Sequence, residues 1–231
     1  MLAKPEALRI LFDELRWIDE ACNGMAVPGD LRHRLGLAAT DLLHEHARSI
    51  LYLLNSKPDS PPMVGSALAL LRPLFEALVR SWLILYVRTD AEIDHHADGG
   101  ELPPYKMADK IKRIEAVAGL RHDGFLSKVM QGGFWNTLNG FAHGGIEQLA
   151  RRVSPTHLGP NYSESDELLS LMIASEFSLI AATVALEIGG RMDRAEEAQH
   201  RLGRLAERLN QDGATIRITE AVGRMSPAPI V

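Results

Sequence analysis

Residues Met63 to Arg88 read MVGSALALLRPLFEALVRSWLILYVR, and between Asp59 and Arg88 the only charges are Arg72, Glu76 and Arg80, spaced four apart. On a helix turning about 100° per residue, Gly65, Ala69, Arg72, Pro73, Glu76 and Arg80 share one side. Leu68, Leu71, Leu74, Phe75, Leu78, Val79, Trp82 and Leu85 cover most of the rest. A helix apolar around most of its circumference belongs inside a bundle. The spacing therefore predicts a central helix whose charged stripe faces another helix or a cavity. Pro73 removes a backbone donor and predicts a bend near Ala69 to Arg72.

Working outward, Leu8, Leu11, Phe12, Leu15 and Ile18 recur at helical spacing from Pro5 to about Cys22, and Asn23-Gly24 supplies a stop. Asp30 is placed to cap a longer helix reaching about Asn55. Thr89 to Pro104 reads as a mostly polar connection with one helical turn. Short helices follow at Tyr105 to Val117 and Asp123 to Met130, then a helix in Phe134 to Arg152. Ser163 or Ser165 can cap a long apolar helix ending at Gly189-Gly190, and a charged helix runs from Arg191 to about Leu209. The tail contains TIRITE, a lone alternating segment that predicts fraying or pairing with another subunit, and with it a homodimer. With no strand alternation before the tail, the fold class is all-α: an antiparallel bundle of about seven helices with extra short ones. Residues 1–212 read as one domain and 213–231 as a tail.

The 231 residues carry a formal net charge of −5, with a pI near 6.0. That balance gives no general attraction for a polyanion, so nucleic-acid binding requires a local basic patch. Cys22 is the single cysteine, which excludes an internal disulfide and a cysteine-cluster metal site. Lys4, Glu6, Arg9, Asp13 and Glu14 make the N-terminus an amphipathic helix rather than an export signal. Glu76 and Arg80 interrupt the best candidate for a membrane span. The expectation is a cytoplasmic protein without a membrane partner.

The second informative stretch is FWNTLNGFAHGGIEQLARR, Phe134 to Arg152. If helical throughout, it places Asn136, Gly140, His143, Glu147 and Arg151 within about 60° of one another, with Trp135, Leu138, Phe141 and Ile146 turned mainly toward the core. Two polar stripes packed together would bring Arg72, Glu76, Arg80, Asn136, Asn139, His143 and Glu147 into one network, the candidate ligand-binding set. LLRPLFEALVRSWLILY followed by FWNTLNGFAHGGIEQLARR resembles an uncharacterised bacterial family of all-helical proteins over roughly Leu42 to Gly190. Gly140 stands where that family commonly has serine. The resemblance implies the fold and which residues form a site, but no reaction. A looser fold-level similarity to HEPN-like helical domains, many of them ribonucleases, implies a possible RNA partner.

Two arginines flanking one glutamate leave a surplus positive charge suited to a small anionic ligand, because guanidinium offers a planar fork of donors. The plainer reading is an i,i+4 ion-pair ladder that only fixes helix register. His143 reads either as a core histidine or as a catalytic acid or base, with Glu76 or Glu147 setting its tautomer and Arg72 or Arg80 stabilising negative charge. A metal site is not expected. His44 and His46 lie about 200° apart on a helix, and the Glu-x-x-His pairs of di-iron bundles are missing. Arg194 and His200 match the spacing of the HEPN nuclease signature, and Arg194, Arg201 and Arg208 share a face. Glu196, Glu197 and Glu207 make that face mixed in charge. No phosphate loop, nucleophile elbow or dinucleotide fingerprint appears, and no cofactor is expected.

Overall fold

The computed structural model describes residues 2–55, 61–100, 105–117, 125–130, 134–143, 149, 151–152 and 160–211. All the regular structure among them is helical: α1 (Lys4–Cys22), α2 (Leu31–Leu54), α3 (Val64–Trp82), a π-helical turn (Leu83–Val87), α4 (Asp90–Ala97), α5 (Met107–Glu115), α6 (Phe125–Met130), α7 (Phe134–Ala142), α8 (Glu164–Ile188) and α9 (Met192–Gln211). The fold is all-α. The TIRITE tail and Glu147 lie outside the described residues.

Caps set the boundaries where the sequence places them. Asp30 accepts from the backbone N–H of His33 at 3.0 Å and opens α2. Ser163 and Asp166 form a reciprocal capping box at α8, and Thr89 and Glu92 form another at α4. The second box explains why residues 90–97 form two helical turns where the sequence predicts one. Gly24 and Gly190 take φ of +70° and +71° just beyond α1 and α8, a conformation that costs glycine little.

The middle of the bundle belongs to α8, which corrects the expectation for α3. From Leu169 to Leu186 every α8 residue except Glu176 is buried, so the helix is enclosed on nearly all sides. Its neighbours fix the directions. Lys4 pairs with Glu167 at one end of α1, and Met25 closes on Gly189 at the other. Tyr162 meets Gly65 at the start of α3, while Phe177 stacks on Phe75 at 5.7 Å. So α1, α3 and α8 run the same way. α2 runs against them, joined to α3 by Thr40 Oγ1 to Ser81 Oγ at 3.0 Å and to α8 by His44 Nε2 donating to the Ser178 carbonyl at 3.1 Å. α9 also runs against α1, with Arg201 on Glu14 and Arg208 on Glu6. Each fully buried Leu or Phe in such a core contributes about 1.5–3 kcal/mol.

Among the described residues α8 is also the one helix long and apolar enough to cross a membrane, and 89% of its most apolar window is buried inside the bundle.

α3 passes through Pro73 without a break but does not run on to Arg88. At Leu83 it widens into the π turn. The Arg88 N–H bonds the Leu83 carbonyl five residues back, at 2.9 Å, in place of the Ile84 carbonyl. The released Ile84 carbonyl accepts from Arg32 Nη1 at 2.7 Å. α2 comes close here: a Cβ on Gly36 would stand 2.4 Å from Leu85 Cδ2.

Candidate functional site

α3 supplies Arg72 and Glu76 one turn apart, and the local pair forms, with Nε donating to Glu76 Oε1 at 2.9 Å. The predicted ladder stops there: Arg80 is exposed and does not pair with Glu76. α7 supplies the other half. His143, at its C-terminal end, touches Arg72 Nη1 through Nε2, and the Arg72 Cζ lies 5.3 Å from the centroid of the Trp135 ring. A guanidinium has donors only. In this contact Arg72 is therefore the donor and His143 Nε2 the acceptor.

Trp135, Asn139 and His143 follow one another at four-residue steps, so the side of α7 facing Arg72 is 135/139/143 and not the 136/140/143 stripe read from sequence. Trp135 belongs to this site rather than to the core alone. Asn136 is exposed, about 100° around the helix from Trp135. Arg151 lies beyond α7 and pairs with Asp166 of α8 at 2.6 Å. The helical period already aligned Trp135 with Asn139 and His143. What hid it was the assumption that a tryptophan must point inward.

Among the described residues neither Arg72 Nη2 nor the Asn139 side chain makes a hydrogen bond. Among the described residues Nη2 has no protein acceptor, and the Asn139 Oδ1 is buried without a donor. A half-turn of the amide would present its N–H groups at the same place. Behind the site an aromatic column leads into the core: Trp135 to Phe75 at 6.1 Å, Phe75 to Phe177 at 5.7 Å, Phe177 to Phe125 at 6.0 Å. It fixes the guanidinium's platform to α8.

The chain's other titratable candidates are accounted for elsewhere. Burial pushes the His44 imidazole down, against the Ser178 carbonyl that favours its proton, so it is a neutral core donor. The matched Arg194 pairs with Glu197 at 2.8 Å, and Arg201 bonds both Glu197 and Glu14. The basic strip of α9 is thus spent on carboxylates. Among the described residues no cluster of three metal-ligating side chains occurs.

A family model described as a family of unknown function (DUF6988) matches residues 40–210. The chain belongs to this family. The DUF6988 match includes all of α3, α7 and α8, and so both halves of the Arg72 cluster, while α1 lies outside it. No curated protein and no solved structure shows significant similarity to the chain.

Proposed function

We propose that this DUF6988 protein binds a small anionic ligand at Arg72, between α3 and α7. The observation that carries the reading is the open edge of the guanidinium. Glu76 holds Nε, His143 holds Nη1 and Trp135 covers the plane, while Nη2 is free to take a carboxylate oxygen. With Nε2 accepting from Arg72, the other ring nitrogen of His143 adds an N–H donor and Asn139 an adaptable amide, so donors dominate the contact set. Glu76 and Trp135 hold the arginine in place before the ligand arrives, which lowers the ordering cost of binding.

Trp135 is a built-in reporter. Titration with acetate, succinate and citrate should change its fluorescence, and the change should vanish in Trp135→Phe and in Arg72→Met. No response in wild type at about 10 mM, equivalent to less than about 3 kcal/mol of binding, would overturn the reading.

A second reading, a metal-independent HEPN-like ribonuclease, draws on one observation: an arginine in direct contact with a histidine pairs a base with a cation suited to a phosphodiester. It requires RNA cleavage in EDTA that disappears in His143→Ala, together with growth arrest on expression. Intact RNA and harmless expression would exclude it.

A further inference from the structure

A second polar site lies on α5, away from the motifs that the sequence made prominent. Ile111 and Ile114 face the core, so at 100° per residue Asp109, Lys112, Arg113 and Ala116 share the outer side of this helix. Together with Tyr105 they line a hollow of about 400 Å³. All but Tyr105 are exposed. The helix is pinned from behind, where Glu115 accepts from the backbone N–H of Ser127 in α6 at 2.8 Å.

The charges around the hollow have the spacing to neutralise one another and do not. Asp109 precedes Lys112 by three residues and Arg113 by four, the separations at which opposite charges meet on a helix. Among the described residues, however, none of the three makes an ion pair. Tyr105 gives the reason for Arg113. Its ring centroid lies 4.2 Å from the Arg113 Cζ, so the guanidinium is held over the ring instead of at the carboxylate. The ring is itself fixed: the Arg88 Cζ lies 4.5 Å from the same centroid, and Arg88 bonds Glu92 at 2.9 Å. One carboxylate and two cations thus surround one hollow with their charges unmatched and a positive surplus.

We propose that this hollow binds an acidic amino acid. The ligand's ammonium goes to Asp109, one carboxylate to the Arg113 fork and the other to Lys112. Its negative net charge answers the surplus. A dicarboxylate without the amine would set like charge against Asp109, and a neutral amino acid would leave Lys112 unanswered. Exposed ion pairs are weak one at a time, so binding depends on one ligand making all three. Stacking on Tyr105 orients the Arg113 fork beforehand, which lowers the ordering cost, and the volume falls in the range of small-molecule pockets. The hollow shares no residue with the Arg72 cluster.

Calorimetric titration with L-glutamate, glutarate and L-glutamine tests it. Glutamate should bind about fivefold more tightly than glutarate, which lacks the ammonium, and than glutamine, which lacks the second carboxylate. Asp109→Asn should erase the preference over glutarate, and Lys112→Met the preference over glutamine. Arg113→Gln should weaken all three. A carboxylate held at Arg72 contributes equally in wild type and in these variants, so the differences belong to the hollow. Lys106→Met, exposed at the start of the same helix, should change neither preference. The substituted side chains are exposed, so the variants keep the fold. No heat from glutamate at about 10 mM, glutamate binding no tighter than glutarate or glutamine, or preferences that survive both Asp109→Asn and Lys112→Met would overturn the assignment.

Discussion

The two flanks of the bundle treat arginine in opposite ways. Along α1, α8 and α9 the arginines near α8 are clamped. Arg201 bonds Glu14 and Glu197 and lies 4.5 Å over the Trp17 ring, Arg208 reaches Glu6, and Lys4 at the start of α1 holds Glu167. Along α3 and α5 the cations are matched less completely: Arg72 pairs with Glu76 but keeps an open edge, Arg88 pairs with Glu92, and Arg80, Lys110 and Arg113 have no carboxylate within ion-pair distance among the described residues. The first arrangement fixes helix register. The second leaves charge available to something outside the chain, so counting charges on a helix says less than asking which of them already have partners.

The largest effect expected on the clamped flank comes from its exception. Glu176, the one partly exposed residue in the buried stretch of α8, has no side-chain hydrogen bond or ion pair among the described residues, and desolvation pushes its carboxyl up to about 7. A folded-state pKa raised above the unfolded value means that the native state binds the extra proton. Stability from this group is then lost as pH rises from about 4.5 to 7. Glu176→Gln should raise stability by about 3 kcal/mol at pH 8 and by nearly nothing at pH 4, measured by urea unfolding. A gain independent of pH would mean that the carboxyl is solvated. His44 acts in the opposite sense: its lowered pKa means that the unfolded chain takes up the proton first, so stability falls as pH drops below about 6.5. In the Glu176→Gln variant that acid slope should stand without the opposing one.

Next in size is Arg201→Ala, expected to cost about 2 kcal/mol, because it strands Glu14 and uncovers Trp17. A loss below about 0.5 kcal/mol would erase the distinction between the flanks, since that is the worth of an exposed pair. Smallest should be His143→Ala. The side chain is exposed, so the thermal midpoint should move by no more than about 0.5 kcal/mol equivalent. A fall above about 2 kcal/mol would make the Arg72 cluster a structural network and return it to the clamped class.

Much of this molecule was legible in order along the chain. The caps at Asp30 and Ser163, the stop at Asn23-Gly24 and the Arg72–Glu76 pair all depend on residues within four positions of one another, and helical periodicity reports them directly. Reading failed where a face had to be chosen. Phe12 shares the helical spacing of Leu8, Leu11 and Leu15 yet is 52% exposed, with Arg16 over its ring, while Trp17 is buried. On α7 the side facing Arg72 carries Trp135, where an apolar pattern places tryptophan in the core and Asn136 in the polar stripe.

By itself, then, the sequence determined that the chain is helical, where most helices begin and end, and that one apolar helix carries Arg72, Glu76 and Arg80. These follow from hydrogen bonds and side-chain spacings that close within one or two turns. Only the tertiary structure decided that α8 fills the centre and that α3 widens at Leu83 to release a carbonyl to Arg32. It also decided that Arg201 meets Glu14 across 187 residues, while Arg80 meets no carboxylate among the described residues. Such partners are brought together by burial of apolar faces far apart in the chain. That burial is non-directional, and a local pattern cannot specify it.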